Sequence, residues 1–276
     1  SYSPSARGTL VASALGFVLV LLDVSVVNVA LDDLRRAWRA DMSTLQWLVN
    51  AYTLVFAALL LTSGALGDRL GARRVFLAGF GIFTLASVAC GLAPNVPTLI
   101  AARLLQGLGA ALLVPNSLSM LQRAFHDPKA RSHAVGWWGA AGGMALAAGP
   151  VLGGFLVEHW GWRSIFLINL PVGILGCLAT RRLLPDLRSP LPQRFDGLGF
   201  LLLGTSMILI SIALEGLGEL HLPHVRVVLL LMGGMACMVA YWLRALHHDQ
   251  PLFSAELFRI RSFAVGIFGN LFARLG

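Results

Sequence analysis

Residues 9–31 read TLVASALGFVLVLLDVSVVNVAL, and their one charged side chain is Asp23. A helix needs about 20 apolar residues to cross a bilayer. This run meets the requirement, and it is too long and too acidic at Asp23 for a cleavable signal segment. Seven more runs of the same kind follow, near Leu45–Gly64, Val75–Leu92, Val96–Leu121, His133–Val157, Ser164–Thr180, Gly197–Leu214 and Val227–Leu243. A ninth starts near Phe263 and is cut at Gly276. Only helices and closed barrels satisfy backbone polar groups in lipid. Barrel strands are about ten residues long and alternate in polarity, which these runs do not. The expected fold is therefore an all-α membrane protein.

Composition agrees. Apolar residues make up 57% of the chain and charged residues 12%, against about 25% charged in a soluble domain. The net charge of +8 does not point to nucleic acid, because the basic residues sit in short loops between the apolar runs. With the N-terminus inside, fourteen of them fall on inner segments and five on outer ones, with Arg103 and Arg274 inside spans. That bias predicts a cytoplasmic N-terminus. Trp38, Trp47, Trp160, Trp162 and Trp242 lie near span ends and read as interfacial anchors. Trp137 and Trp138 lie deeper, as candidates for a cavity wall. Cys90, Cys177 and Cys237 are far apart within apolar runs and read as buried free thiols.

The polar, basic segment 181–196 divides the chain. Residues 1–180 are expected to form a six-helix bundle and 181–196 a cytoplasmic linker. Residues 197–262 should add two helices, and 263–276 begin a truncated ninth.

Chemistry concentrates at few positions. Asp23 is the only acid deep in a span, and an intramembrane carboxylate marks an ion or proton pathway by default. Arg103 is its basic counterpart. Counted along the helices, Asp23 lies roughly 12 Å and Arg103 roughly 10 Å from the outer end, so both suit one polar cavity. The segment Gly64-Ala-Leu-Gly-Asp68-Arg69-Leu-Gly71-Ala-Arg73-Arg74 reads as a tight interhelical turn using Gly64 and Gly71, with Asp68 at the start of the third helix. In the fifth run, Gly149-Pro150-Val-Leu-Gly153-Gly154 joins a helix breaker to small residues. Gly149/Gly153 and Gly139/Gly143 both fit close helix approach; Gly107, Gly109 and Ala111 smooth the fourth helix. The seven histidines show no ligand pairing, and no protease, lipase or phosphate-loop motif occurs. An enzyme, a bound metal and a cofactor are not expected.

These residues resemble a known family. The stretch Gly64–Arg74 resembles the signature between the second and third helices of the major facilitator superfamily. Leu99-Ile-Ala-Ala-Arg103-Leu-Leu-Gln106-Gly107-Leu-Gly109-Ala110-Ala111 resembles its fourth-helix signature, and Gly149–Gly154 its fifth-helix antiporter signature. Leu22-Asp23-Val-Ser25-Val-Val-Asn28-Val-Ala30-Leu31 resembles the first-helix signature of the fourteen-span drug:proton antiporters. Residues 197–262, with Pro251-Leu252-Phe253 and Leu257-Phe258-Arg259, resemble the insertion of fourteen-span members. The sequence departs from the pattern at Asp32, where Pro is usual, at Ala145, where Gly is frequent, and at Ser25, where Thr is usual.

The resemblance implies the N-terminal half of a transporter plus two helices, with a C-terminal half missing. It implies proton-coupled export of drugs or small metabolites from a bacterial inner membrane by alternating access. It assigns Asp23, Asn28, Arg103 and Gln106 to proton coupling or the substrate cavity. Gly64, Asp68, Arg69, Gly71, Arg73 and Arg74 become a gating loop at the inner face, and Gly149, Pro150, Gly153 and Gly154 set the exchange mode. Partners are then a small-molecule substrate, protons and lipid, without nucleic acid. A nutrient importer or uniporter, and a nontransporting sensor or inactive truncated product, are the competing readings.

Overall fold

The computed structural model describes residues 4–184, 196–217 and 223–247. The ninth run with Arg274, the Pro251–Arg259 stretch and most of the 181–196 linker lie outside these. Among the described residues the chain is helical: α1 (Pro4–Trp38), α2 (Met42–Leu70), α3 (Ala72–Gly91), α4 (Val96–Ala124), α5 (Pro128–Trp160), α6 (Ser164–Leu167), α7 (Asn169–Leu183), α8 (Gly197–Leu217) and α9 (His224–His247). Among the described residues, seven spans are long and apolar enough to cross a membrane. The pair Thr44–Leu60 and Thr62–Leu70, bent by 53°, makes an eighth if it is one span.

Local chemistry sets the boundaries. Asp41, Asn95 and Asp127 cap α2, α4 and α5, each accepting from a backbone N–H three residues on, at 3.1, 3.0 and 2.8 Å. Gly71 alone separates α2 from α3, at φ 95°, a conformation that glycine adopts without a Cβ penalty. Gly64 is inside α2 and forms no turn. The helices outrun the apolar stretches because these caps lie beyond them. The sixth run breaks at Ile168 into α6 and α7. Pro171, in the first turn of α7, has no N–H for the Leu167 carbonyl.

The six-span bundle has a regular pattern of neighbours. Its packed pairs are α1·α5, α2·α4, α3·α4, α1·α4, α2·α3, α1·α2 and α4·α5, with α6–α7, the sixth span, against α1, α3 and α5. Exchanging the first three spans for the last three, in order, leaves this set unchanged, as two packed three-helix repeats require. The α8–α9 hairpin packs on α2, where Ile208 and Ile212 meet Leu54, Val55 and Leu59. Asp196, buried at the start of α8, caps Gly199 and binds Arg244 of α9 at 3.0 Å.

Two prolines lie inside helices at the closest crossings. Pro150 leaves the Leu146 carbonyl without its helical donor, and Ser25 Oγ of α1 donates to it at 2.7 Å. Pro115 does the same to Ala111, and Ser63 Oγ of α2 fills that vacancy. Each proline thus creates an acceptor that a neighbouring helix satisfies, as lipid burial demands. Small residues give the room. A Cβ on Gly149 would strike Ser25 Oγ, and one on Gly109 would lie 2.7 Å from the Phe83 backbone nitrogen. Gly153 also faces α1, whereas a Cβ on Gly139, Gly143 or Gly154 would meet nothing within 4 Å. A side chain at either glycine of the second pair would therefore meet open space, so that pair is not needed for close helix approach here.

Two aromatic and thiol expectations change. Trp162 is buried, edge-on to Trp38 at 4.9 Å and under the Arg163 guanidinium at 4.3 Å. The turn at Gly161 (φ 77°) brings it inward while Trp160 stays exposed. Cys90 is buried, but Cys177 and Cys237 are only partly buried, Cys177 at the edge of a core cluster. Trp138 stacks on Phe17 at 3.8 Å, and Trp137 is exposed.

The packing sets a testable contrast. Gly149→Ala should lower stability by about 1–3 kcal/mol through overpacking. Gly154→Ala should be neutral or stabilising by up to about 1 kcal/mol, from helix propensity alone. Thermal unfolding of the purified protein in detergent measures both, and equal effects would contradict the α1–α5 contact.

Candidate functional site

Charge inside a bilayer must be matched, and the bundle interior pairs a buried acid with a buried base. Asp23 of α1 is 0% exposed and Arg103 of α4 is 2% exposed. Arg103 Nη1 donates to Asp23 Oδ2 at 2.5 Å. The same nitrogen lies 2.8 Å from Gln106 Oε1, one turn along α4. Gln106 Nε2 donates to Asp23 Oδ1 at 3.2 Å and to Ser87 Oγ of α3 at 2.7 Å. Asn169 Nδ2 of α7 donates to Asp23 Oδ1 at 2.7 Å. The carboxylate therefore accepts from three side chains on two other helices.

The cation has further support. The Arg103 guanidinium carbon lies 4.3 Å from the ring centroid of Tyr52 on α2, a cation–π distance. Cys90 Sγ donates to Gln106 Oε1 at 3.2 Å. Local packing permits this convergence: a Cβ on Gly107, one residue from Gln106, would come within 2.5 Å of the Tyr52 carbonyl oxygen.

The structure thus joins three sequence-identified residues, Asp23, Arg103 and Gln106. It does not bring Asn28 to them. Asn28 is on the exposed face of α1, and its amide donates to the Val24 carbonyl of its own helix at 3.2 Å. Sequence reasoning missed Tyr52, Ser87, Cys90 and Asn169. The signal for Asn169 was a carboxamide inside an apolar run, two residues before a proline; the others carry no such mark.

The Gly64–Arg74 stretch forms a second, separate site. Asp68 is in the last turn of α2, before the Gly71 break, so it does not cap α3. It pairs instead with Arg123 in the last turn of α4 at 2.7 Å. Arg73 donates to the carbonyls of Thr180 at 3.4 Å and Arg181 at 2.9 Å, at the end of α7. Arg69 and Arg74 share this end of the bundle. Below it, Asn116 Nδ2 donates to Leu112 O at 2.9 Å and Ser63 O at 3.3 Å, and a Cβ on Gly67 would collide with its amide. Gly149 and Gly153 lie against α1 near Ser25, two residues from Asp23, while Pro150 is exposed and a Cβ on Gly154 would meet nothing within 4 Å. No group of three potential metal ligands occurs among the described residues.

The buried pair should behave as a unit in a double-mutant cycle. Arg103→Met alone leaves an unpaired buried carboxylate and should cost about 3–5 kcal/mol. Asp23→Asn combined with Arg103→Met should cost less than the sum of Asp23→Asn and Arg103→Met alone. Thermal unfolding in detergent reads the cycle, and additive costs would mean that the two groups do not interact.

Comparison with known proteins places this geometry in a lineage. The Major Facilitator Superfamily profile matches residues 13–276. The "Multidrug resistance protein Stp" of Mycobacterium tuberculosis is 38% identical over 261 residues, covering 94% of this chain and 48% of that protein. The "Methylenomycin A resistance protein" of Streptomyces coelicolor is 47% identical over 171 residues, covering 62% and 36%. Its Bacillus subtilis namesake is 35% identical over 268 residues, covering 97% and 57%. The chain spans about half the length of the curated relatives it matches. With membrane-length helices, a family match across nearly all its residues and a buried ion pair inside the bundle, the chain is an integral membrane protein that belongs to the Major Facilitator Superfamily.

Proposed function

We propose that this chain is part of a proton-coupled exporter of drugs or small metabolites, working by alternating access in a bacterial cytoplasmic membrane with its N-terminus inside. The observation that carries the reading is the Asp23–Arg103 pair with its buried carboxamides. A lone titratable acid at that depth has a large desolvation cost when charged, and Arg103 offsets it. Small changes in water access can then decide whether Asp23 holds a proton. Resistance-protein relatives favour export over nutrient uptake.

In this scheme Asp23 takes up and releases the proton, and Arg103 and Gln106 hold it in place. Asn28, on the open face of α1, lines the substrate cavity together with a second half of the transporter. Pro150 with Gly149, Gly153 and Gly154 lets α5 bend beside α1 and sets the exchange mode. Gly64, Asp68, Arg69, Gly71, Arg73 and Arg74 form the inner gate, with Asp68–Arg123 as its contact. An exposed ion pair contributes only about 0–1 kcal/mol, so it suits a contact that opens and closes.

Asp23→Asn should keep the protein folded and inserted yet reduce gradient-driven accumulation about tenfold or more. Asp23→Glu should keep part of it. Transport by the complete protein in vesicles under an imposed pH gradient, at matched expression, measures this. Uphill transport at the parental rate in Asp23→Asn would place coupling elsewhere.

The gate has its own signature. Asp68→Ala and Arg123→Ala should each slow turnover while leaving substrate affinity nearly unchanged, since both lie far from Asp23 and bias conformations without touching cargo. Binding titrations beside vesicle transport separate the two quantities. Greatly weakened binding with normal turnover would assign Asp68 to the substrate site.

A further inference from the structure

Ionised Asp23 is surrounded only by donors: Arg103 Nη1, Gln106 Nε2 and Asn169 Nδ2. A protonated carboxyl needs the opposite, at least one acceptor for its own O–H. Two carboxamide oxygens are near. Gln106 Oε1 is held in orientation by Arg103 Nη1 at 2.8 Å and Cys90 Sγ at 3.2 Å. Turning that amide would set an NH₂ group against a guanidinium. Asn169 is different. Its side chain is fully buried, yet Oδ1 has no hydrogen-bond partner. Nothing polar fixes its amide except the two bonds made by Nδ2, to Asp23 at 2.7 Å and to Ser87 Oγ at 3.4 Å.

We propose that Asn169 is a positioning residue whose carboxamide turns over as Asp23 titrates, offering Nδ2 to the carboxylate and Oδ1 to the carboxylic acid. This rests on the reading that Asp23 binds the transported proton. The proton arrives from water on the open side and bonds to Asp23 Oδ1; no covalent bond of the protein breaks. The O–H then donates to Asn169 Oδ1, and the proton later returns to water on the other side. Ser87 Oγ accepts from Nδ2 while its own O–H donates to the Phe83 carbonyl at 2.9 Å; in the turned state that O–H swings from Phe83 to Asn169 Oδ1. Arg103 keeps its charge throughout, over the Tyr52 ring and against Gln106 Oε1. The unpartnered Oδ1 is therefore the acceptor for the second protonation state, absent from use in the first.

The titratable groups facing Asp23 are Tyr52 from α2, Cys90 from α3 and Arg103 from α4. Those of α5 (Lys129, Arg131, His133, Glu158, His159) lie in its first two and last turns, and α6 carries none. On α7, Cys177, Arg181 and Arg182 lie at least two turns beyond Asn169.

Infrared difference spectroscopy tests this on the complete protein in lipid bilayers as pH is stepped from alkaline to acid. Asparagine is labelled with carbon-13 at the side-chain carbonyl, and Asp23→Asn assigns the carboxyl band. The expected result is a protonated-carboxyl band from Asp23 that rises together with a shift of a labelled amide band. Asn169→Ser should keep the carboxyl band and lose the amide shift, because its hydroxyl serves both states without turning. A carboxyl band with no labelled amide change, or an amide change that survives Asn169→Ser, overturns the role of Asn169 and leaves the proton reading standing. No Asp23 band at any pH overturns both. The measurement on the parent sequence decides the matter even if the serine variant does not fold.

Discussion

An ion pair inside a hydrocarbon slab has to be assembled before it can be useful, and its assembly constrains most of the bundle. Removing two charges from water costs several kcal/mol per ion even after relaxation. The return comes only if geometry is good and the remaining donors are used. Asp23 and Arg103 go most of the way by drawing on α1, α2, α3, α4 and α7 at once, although Arg103 Nε makes no hydrogen bond. No two helices could supply it alone. The pair is thus weak evidence for stability and strong evidence for register. A shift of α4 by one turn would put Arg103 about 5.4 Å out of reach.

That register depends on close approach, and close approach depends on small residues and prolines. Van der Waals packing has to hold membrane helices together, because lipid tails are as apolar as leucine. Gly107 lets α4 meet the α2 backbone, Gly109 lets it meet α3, and Gly149 makes space for Ser25. Pro115 and Pro150 then add polarity at the same crossings by freeing carbonyls for Ser63 and Ser25. The serine at position 25, where threonine is usual in the resembling pattern, keeps the hydroxyl that the freed Leu146 carbonyl needs. Ala145, where glycine is frequent, is accommodated in the packed interior around α1.

Much of this could be read from the residues, and the limit has a physical form. Spans are legible because twenty apolar positions in a row have few other solutions. Asp23 and Arg103 are legible because charge in such a run is costly wherever it points. Depth along a helix can be counted at about 1.5 Å per residue, which places them level with each other. Azimuth cannot be counted across helices of unknown packing, so their bond could not be read. For neutral polar residues both signals are weak: Ser87 and Asn169 are tolerable on several faces, and Asn28 looked as good a candidate as Gln106. Asp68 shows the other limit. Its assignment to the start of α3 required α2 to stop at Gly64, whereas glycine inside a helix costs only about 1 kcal/mol and the chain turns at Gly71.

The two ion pairs differ in a way that their surroundings explain. Asp68–Arg123 has the same 2.7 Å reach expected of a good charge-assisted bond, but water competes for both partners. Breaking it exposes two charges that were never dehydrated, so the barrier is low and salt weakens it further. Asp23–Arg103 cannot be opened to water without moving helices, since five helices contribute to its enclosure. The bundle thus keeps a breakable pair at one end and a buried pair in its interior. The shared helix between them is α4, which carries Arg103 and Gln106 three turns or more from Arg123. A movement of α4 relative to α2 would therefore act on both pairs at once, with Asn116 and Pro115 lying between them on the same helix.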